Sequence, residues 1–482
     1  MAVVDSILAH ARAAPDKAAL THNGRVFSYR ELAARIARAR SFLRGQGVGA
    51  ERVAIICIRA LPDAWSIGLA LRSLGVTTVN GRSPEDVERL GLEAASVVSM
   101  AAEPWPGLAE AAARAGAPLA LAPRDLFAGA AEAATPDFAP APPGGHILLT
   151  SGTTGAYKKV LIDAADEARN APARAALLGL TGDSVIDVFD FGGWTAFGYQ
   201  WPVCAWSLGA GVVTHQGPER WRSLTTPGLT HALVQPQLLA ELLATPQAVD
   251  LRNDAVTLIV GAGVLSSAQW RGARERLTGD VRNLLGSTEV GSFALTRIET
   301  AEDLAWHRIA PPFEVQAVDE HDRPAPTGTQ GIVRIRTTGV EGYLGDPEAS
   351  GAFFRNGFFY PGDLGVVRQD GRLSLQGRIT DLINVMGDKI ATLPIERALQ
   401  EALGAQAVCV FSAAGEDGEA VHVAIQPGRP ITPFELRAAL TAALPGLAQV
   451  RVHAVKAFPR NHMGKIERAA LKAQLLVSPN PL

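Results

Sequence analysis

The sequence predicts a mixed α/β protein with a large N-terminal domain and a small mobile α+β C-terminal domain. Apolar β-branched runs alternate with helical patterns up to about residue 310, which implies right-handed crossovers and mostly parallel sheets. After Pro311, short alternating strands separated by turn residues indicate a small antiparallel β subdomain. The 482 residues are 47% hydrophobic and 19% charged, which excludes a disordered chain or a coiled coil. We therefore expect two mostly parallel sheets flanked by helices in the large domain.

The elements follow from local patterns. Helical patterns cover Ser28–Gln46, Pro62–Leu74, Leu393–Ala402 and Pro433–Leu444. Buried runs predict parallel strands at Arg52–Ile58, Val76–Val79, His146–Leu149, Val185–Phe189, Gly211–Val213, Ala232–Val234, Thr257–Val260 and Val281–Leu284. Antiparallel strands are expected at Phe313–Val318, Gly331–Thr337, Gly365–Arg368 and Arg372–Leu375, and strands of the C-terminal unit at Ala407–Phe411, Val421–Ile425 and Arg451–Val455. The Ala- and Pro-rich stretch Ala101–Pro143 predicts a helix plus a surface connection. We place the domains at residues 1–379 and 380–482.

The net charge and the cysteine content indicate which cellular compartment and which binding partners to expect. The net charge of −3 gives no reason to expect a nucleic acid or an anionic membrane as partner. Cys57, Cys204 and Cys409 lie far apart and form no metal-ligand spacing or disulfide framework, which fits a reducing compartment. The first residues do not have the pattern of a signal peptide. We expect a cytoplasmic protein, as a monomer or homodimer.

The segment Phe191–Thr214 carries no formal charge and is long enough to span a bilayer. It also contains Gln200, Pro202 and several glycines, which favour a buried helix followed by a turn and a strand. We expect the buried arrangement.

The strongest local motif is a loop that follows the buried strand His146–Leu149. Glycines there let backbone N–H groups point at a ligand, hydroxyls add donors and lysine adds charge, so the loop suits phosphates. The candidate phosphate-binding residues are Thr150, Ser151, Gly152, Thr153, Thr154, Gly155 and Lys158. The spacing differs from a Walker A motif, and a polar surface turn is the alternative.

This loop resembles the T-S-G-T-T-G-x-P-K-G signature of the adenylate-forming superfamily, which comprises acyl- and aryl-CoA ligases, amino-acid adenylation domains and luciferases. Tyr157 and Lys159 depart from it. Further motifs follow in the family's order: Gly286-Ser287-Thr288-Glu289 resembles Y-G-x-T-E, and Phe359-Tyr360-Pro361-Gly362-Asp363 resembles W-[FY]-x-T-G-D. Gly377-Arg378-Ile379-Thr380-Asp381-Leu382-Ile383-Asn384 is similar to G-R-x-D-D-x-I-K, and Asn461-His462-Met463-Gly464-Lys465-Ile466 resembles N-x-x-G-K-I. Leu285 replaces the usual aromatic residue and Thr380 the usual Asp or Lys.

The resemblance implies roles in acyl-adenylate formation, which concentrates negative charge at the α-phosphate and calls for Mg²⁺ and cationic donors. Lys465 would bridge the α-phosphate and the substrate carboxylate, Thr288 would contact phosphate, and Glu289 would hold Mg²⁺. The remaining nucleotide-binding residues would be Gly261, Ala262, Gly263 and Asn283 at adenine, Gly286 and Ser287 in the metal motif, and Asp363 with Arg378 at the ribose. Taken singly, Glu289 could be a helix N-terminal carboxylate, Asp363 a turn former and Arg378 a surface ion-pair partner.

The resemblance also implies a second half-reaction, in which the C-terminal domain rotates about a hinge and admits a thiol. Thr380 occupies the hinge position, and Gly387 lies on the loop that would then face the active site. The acyl pocket would include Asp190, Phe191, Gly192 and Val234. Amino-acid adenylation domains hold a substrate ammonium with an Asp at the position of Asp190, whereas the continuation Phe191-Gly192 is more similar to acyl-CoA ligases.

Three functions remain open from the sequence. The leading one is an ATP- and Mg²⁺-dependent acid–thiol ligase that makes an acyl-CoA from a small-molecule carboxylic acid. The second is a stand-alone adenylating enzyme that loads an amino acid or acyl group onto the phosphopantetheine of a carrier protein in trans. The third is a non-catalytic nucleotide-binding homologue, suggested by the departures at Tyr157, Lys159, Leu285 and Thr380.

Overall fold

The computed structural model describes residues 2–49, 53–92, 95–151, 157–385, 388–415, 418–446, 450–461 and 464–477. The helices in these ranges are α1 (Val3–Ala13), α2 (Tyr29–Gly45), α3 (Leu61–Ser73), α4 (Asp86–Arg89), α5 (Leu108–Arg114), α6 (Ala164–Leu178), α7 (Ala196–Leu208), α8 (Pro236–Leu243), α9 (Ser267–Arg276), α10 (Pro347–Phe353), α11 (Thr392–Leu403), α12 (Pro433–Ala443) and α13 (Arg468–Val477).

The strands in the same ranges are β1 (Ala18–His22), β2 (Arg25–Ser28), β3 (Val53–Ile56), β4 (Thr77–Asn80), β5 (Ser96–Met100), β6 (Leu119–Ala122), β7 (His146–Ser151), β8 (Tyr157–Ile162), β9 (Val185–Asp187), β10 (Gly211–Thr214), β11 (His231–Val234), β12 (Thr257–Gly261), β13 (Asp280–Ser287), β14 (Gly291–Arg297), β15 (His307–Arg308), β16 (Val315–Val318), β17 (Gln330–Arg336), β18 (Phe354–Arg355), β19 (Phe358–Phe359), β20 (Asp363–Val367), β21 (Arg372–Arg378), β22 (Leu382–Val385), β23 (Asp388–Ala391), β24 (Ala407–Gly415), β25 (Gly418–Gln426) and β26 (Val450–Ala454).

The chain forms two compact units. Unit 1 comprises Met1–Leu233, Ser287–Ser292 and Thr337–Ala352. Unit 2 comprises Val234–Gly286, Phe293–Arg336 and Phe353–Leu482. The domain boundary expected between residues 379 and 380 lies inside unit 2 and stays a prediction.

Unit 1 contains two mostly parallel sheets. One has the strand order β6-β5-β3-β4-β7-β8, with β7 and β8 antiparallel and the other pairs parallel. In the other, β11, β9, β10 and β1 pair in parallel and β2 closes the edge antiparallel to β1. Ser28 caps α2 by accepting a hydrogen bond from the backbone N–H of Glu31 at 3.2 Å, so the predicted helix start is confirmed.

Unit 2 combines parallel strand pairs, β12–β13 and β25–β26, with an antiparallel sheet and α+β regions. Strands β12 and β13 pair in parallel, with Val260 opposite Asn283. The antiparallel sheet has the order β15-β21-β20-β17-β19-β18, and β16 also pairs with β17. Strands β24, β25 and β26 form the C-terminal sheet, where buried Leu399 and Leu403 of α11 pack with Val410 and Val423. The predicted mixed α/β fold class is thereby confirmed.

The charge-free segment Phe191–Thr214 forms α7, a turn and β10, as expected, and Trp201 and Trp206 are each 1% exposed. Within the described ranges, none of the helices combines the length and apolarity needed to cross a membrane. The sequence patterns missed β6, inside the supposed surface connection, and β8, which directly follows the phosphate motif. The three cysteines are buried and free of disulfides.

Candidate functional site

The described residues of the phosphate motif lie on the paired strands β7 and β8 of unit 1. Thr150 of β7 is directly opposite Lys158 of β8, and Ser151 is opposite Tyr157. The pairing of these two consecutive strands places the threonine and the lysine of the motif side by side. Of the other predicted loop residues, Gly152, Thr153, Thr154 and Gly155 lie outside the described residues, and of Ser151 only the backbone position is described.

The two departures from the family signature at this motif have structural partners. Tyr157 takes part in the β7–β8 ladder and packs, partly buried, against the core around Ile147. Lys159 donates from Nζ to the carbonyl of Leu90 at 2.8 Å, and its own carbonyl accepts from the N–H of Leu344 at 2.8 Å. A lysine here therefore links β8 to two neighbouring loops.

The predicted metal ligand, Glu289, belongs to unit 1 together with Ser287 and Thr288. Its Oε1 accepts a hydrogen bond from the hydroxyl of Tyr343 at 2.8 Å. The ring of Tyr343 lies 5.0 Å from Nζ of Lys158, a cation–π distance. The structure thus connects the lysine of the phosphate motif to the carboxylate of the metal motif through one tyrosine.

The donor set fits Mg²⁺ bound together with nucleotide. Among the described residues there is no cluster of three or more His, Cys, Asp or Glu side chains that could enclose a metal. Mg²⁺ usually keeps several waters and is bound by one or two carboxylates plus substrate phosphates. A single, half-buried carboxylate such as Glu289 matches that requirement.

The predicted acyl-pocket residues of unit 1 form a tightly packed turn between β9 and α7. Phe191 is buried, and a Cβ added at Gly192 would lie 2.0 Å from the ring of Trp194, so only glycine fits there. The Asp190 carboxylate pairs with Arg220 at 3.1 Å. Arg220 therefore supplies a cation for a carboxylate for which a substrate ammonium was one of the partners left open by the sequence. Val234 is fully buried at the end of β11, in unit 2.

The predicted adenine-binding residues lie together at the β12–β13 pair of unit 2. Gly261 ends β12 opposite Leu284, and Ala262 follows in the left-handed region with a φ of 63°. Asn283 is 3% exposed, and within the described residues its Oδ1 has no hydrogen-bond partner. An unsatisfied buried acceptor costs about 1–3 kcal/mol, and a donor on a bound ligand would satisfy it. Adenine carries such a donor in its amino group.

The other residues of this strand pair complete the predicted set. A Cβ at Gly263 would lie 3.0 Å from the ring of Pro236, so this glycine allows a close approach between the loop and α8. Gly286 is exposed near the end of β13. No contact in the structure explains the departure at Leu285.

The predicted ribose and lysine motifs meet in unit 2. Arg378 Nε lies 3.0 Å from an oxygen of Asp363. Burial raises the pKa of Asp363, while the charges of Arg378 and Lys465 oppose that rise, so both cations lie within electrostatic range of this carboxylate. Gly464, which precedes Lys465, has a φ of 72°, and a Cβ there would lie 2.9 Å from Oε1 of Gln237. The structure therefore brings Lys465 close to the predicted ribose aspartate.

The hinge position is a short 3₁₀ turn, Ile379–Asp381. Thr380 is exposed there and donates from its hydroxyl to Asp381 at 3.1 Å. The predicted thiol-side residue, Gly387, lies outside the described residues. The hinge and thiol-side roles stay predictions.

The sequence motifs did not identify three residues that lie next to predicted site residues: Tyr343, Arg220 and Gln235. Gln235 is 9% exposed, and its Oε1 is unsatisfied among the described residues. It follows the predicted pocket residue Val234, and its Cδ lies 3.6 Å from where a Cβ of Gly464 would be. None of the three stands in a motif that the sequence analysis used. A single tyrosine, arginine or glutamine carries little signal without its spatial neighbours.

Comparison with known proteins identifies a family and a fold. The model of the AMP-binding enzyme family matches residues 7–344. A salicylyl-CoA synthase / salicylate adenylyltransferase from Streptomyces sp is 28% identical over 366 residues, covering 69% of this chain and 64% of that protein. A salicyl-AMP ligase / salicyl-S-ArCP synthetase from Mycobacterium tuberculosis is 29% identical over 377 residues, covering 71% of this chain and 64% of that protein. The matches thus span less than two thirds of the length of either relative.

The fold is also found in a solved structure. The amide bond synthetase McbA from Marinactinospora thermotolerans superposes with a TM-score of 0.84 and 21% sequence identity. The superposition covers 98% of this chain and 99% of that chain. At this level of identity the likeness concerns the fold alone.

Proposed function

Because the chain belongs to the AMP-binding enzyme family, we propose that it is an ATP- and Mg²⁺-dependent ligase that activates a carboxylic acid as an acyl-adenylate. The acyl group then passes to a thiol, for which we propose CoA. The observation that carries this proposal is that Asp363 interacts with both Arg378 and Lys465. These three residues come from three different motifs of the sequence.

The proposed first step joins a carboxylate oxygen of the acid to the α-phosphorus of ATP and breaks the bond to pyrophosphate. Asp363 would accept hydrogen bonds from the ribose hydroxyls, and Arg378 would hold that carboxylate in place. Lys465, beside Asp363, would present its ammonium to the charge that accumulates between the acid and the α-phosphate. The lysine ammonium is a compact charge on a flexible side chain, which suits a group that must approach the reacting atoms and then withdraw from them.

In this proposal Glu289 would hold Mg²⁺, and Thr288 would contact phosphate. When bound, the ion neutralises phosphate charge and orients the pyrophosphate leaving group. Lys158 adds a cation at the phosphate motif, where it stands opposite Thr150. Asn283 would accept from the adenine amino group and so select the base.

The proposal also specifies the thiol that accepts the acyl group and the class of carboxylic acid. One relative is by name a CoA synthase, another a carrier-protein (ArCP) synthetase, and the solved structure is an amide bond synthetase. A carrier-protein thiol is therefore the second candidate acceptor. For the acid we propose a simple carboxylic acid over an amino acid, because Asp190 already pairs with Arg220.

The proposal is tested by pyrophosphate release with fatty, aryl and amino acids, each with and without CoA and with a phosphopantetheinyl carrier protein. We expect ATP-dependent release with at least one simple acid, and an acyl-CoA product when CoA is present. Absence of release with every acid would overturn the enzymatic proposal. Thioester formation on the carrier alone would replace CoA by the second acceptor.

Replacing the proposed catalytic lysine separates the two half-reactions. Lys465→Ala should abolish adenylate formation and leave thioester formation from supplied acyl-adenylate close to wild type, since only the first step uses the ammonium. Lys456→Ala, at another exposed lysine after β26, is the matched control and should retain both activities. Equal loss of both half-reactions in Lys465→Ala would contradict the assigned role.

A further inference from the structure

We propose that Tyr343 is a positioning residue for the metal and phosphate groups of this site, an inference that rests on the proposed function. Its hydroxyl orients the Glu289 carboxylate, and its ring holds the Lys158 ammonium. Neither the phosphate motif nor the metal motif contains this tyrosine. It lies on the separate segment Thr337–Ala352, which belongs to unit 1 together with both motifs.

The hydroxyl contact leaves the carboxylate able to bind a cation. Tyr343 donates to Oε1 of Glu289 at 2.8 Å, and the tyrosine is 5% exposed. A carboxylate has about four lone-pair sites, so one donated hydrogen bond leaves the others for a metal and its waters. The bond to an ionised group is of the stronger, charge-assisted kind. It therefore selects one orientation of Glu289 before a cation arrives.

The ring contact acts on the phosphate motif. Nζ of Lys158 lies 5.0 Å from the ring centroid of Tyr343, within cation–π range. Lys158 is on β8 directly opposite Thr150, at the end of the ladder that leads into the motif. The same side chain thus restrains a cation that would face the phosphates and a carboxylate that would hold their counter-ion.

The backbone around Tyr343 is itself held in place. Its N–H donates to the hydroxyl of Ser350 at 2.8 Å, and that hydroxyl donates to the carbonyl of Asp346 at 2.6 Å. The next residue, Leu344, donates its N–H to the carbonyl of Lys159 at 2.8 Å. The segment that carries Tyr343 is therefore attached to β8, the strand that carries Lys158. This attachment holds the hydroxyl and the ring of Tyr343 in place relative to that strand.

The test measures nucleotide binding calorimetrically, with ATP alone and with ATP plus Mg²⁺, in the absence of acid. Tyr343→Phe keeps the ring and removes only the hydroxyl. We expect the gain in ATP affinity on adding Mg²⁺ to fall about 10-fold, the lower end of the effect of losing a partner of a metal ligand. Affinity for ATP without Mg²⁺ should stay unchanged. Tyr343→Leu removes the ring too and should also weaken metal-free ATP binding.

The matched control is Tyr29→Phe, which removes a buried tyrosine hydroxyl that donates to the carbonyl of Ala210 at 2.7 Å. It should lower thermal stability without changing the Mg²⁺ dependence. An unchanged Mg²⁺ gain in Tyr343→Phe, or the same change in Tyr29→Phe, would overturn the inference. Wild-type protein that binds Mg²⁺–ATP but releases no pyrophosphate with any acid would overturn the proposed function alone. Absence of any Mg²⁺ gain in wild type would overturn both.

Discussion

At the scale of single residues, Asp187 is a buried acid outside the predicted motifs. It is fully buried on β9, where Oδ1 accepts from the N–H of Phe189 at 2.8 Å. Burial raises the pKa of Asp187 from 3.8 to about 7, the hydrogen bonds from Ser223 and Phe189 oppose the rise, and Asp190 adds to it.

The raised pKa makes stability depend on pH. The folded state keeps the proton up to about pH 7, whereas the unfolded state loses it near pH 3.8. Between these values the folded state binds more protons, so the free energy of unfolding decreases as pH rises. Asp187→Asn removes the titration and can still accept from Phe189. We expect it to raise the melting temperature by about 2–4 °C at pH 8 and by much less at pH 5, as measured by calorimetry. A gain of equal size at both pH values would contradict this origin.

At the scale of elements, Arg468 joins four parts of the C-terminal region. As the first residue of α13, it donates to both carboxylate oxygens of Glu396 on α11, at 2.7 and 2.9 Å. It also pairs with Asp381 of the 3₁₀ turn at 3.0 Å and donates to the carbonyl of Val410 on β24 at 3.0 Å. The planar guanidinium fork matches such a set of acceptors.

Removing this arginine should destabilise the protein strongly. Burial raises the pKa of Glu396 and the arginine opposes that rise, so Arg468→Met would leave a buried, uncompensated acid. We expect a loss of about 3–5 kcal/mol in the free energy of unfolding, partly recovered in the double variant with Glu396→Gln. Arg429→Met is the control, because its ion pair with Glu435 is exposed to solvent and should contribute little to stability. Equal losses in denaturant unfolding of the two single variants would refute the assignment.

At the scale of the whole molecule, nucleotide binding should appear as thermal stabilisation. A ligand that binds only the folded state adds about 2.7 kcal/mol at 100 times its dissociation constant. ATP with Mg²⁺ should therefore raise the melting temperature in a concentration-dependent way. Inosine triphosphate, which lacks the adenine amino group, should raise it less, because Asn283 Oδ1 then receives no donor.

The variant Asn283→Ala provides the comparison for that prediction. It should bring the shifts caused by the two nucleotides close together. If the difference between the shifts caused by ATP and by inosine triphosphate persists undiminished in the variant, a group other than Asn283 distinguishes the two bases.

Much of the fold and of the candidate site could be predicted because the signals are local. The capping Ser28 and the amphipathic pattern after it predict α2 within one residue at each end. The glycine- and hydroxyl-rich motif after His146–Leu149 predicts phosphate binding from its chemistry alone, and this role stays a prediction. The missed strand β8 shows where local patterns fail, because Lys158 and Lys159 are strand residues only through pairing with β7.

The sequence by itself determined the class of fold and the chemical identity of the motif residues, since hydrophobic periodicity and residue chemistry act over a few neighbours. Only the tertiary structure decided which side chains meet. Tyr343 contacts Glu289 across 54 positions of the chain, and Arg220 pairs with Asp190 across 30. Such pairs depend on how strands and loops pack, which no local pattern encodes. For that reason the partner of Asp190 and the tyrosine that donates a hydrogen bond to Glu289 emerged only from the structure.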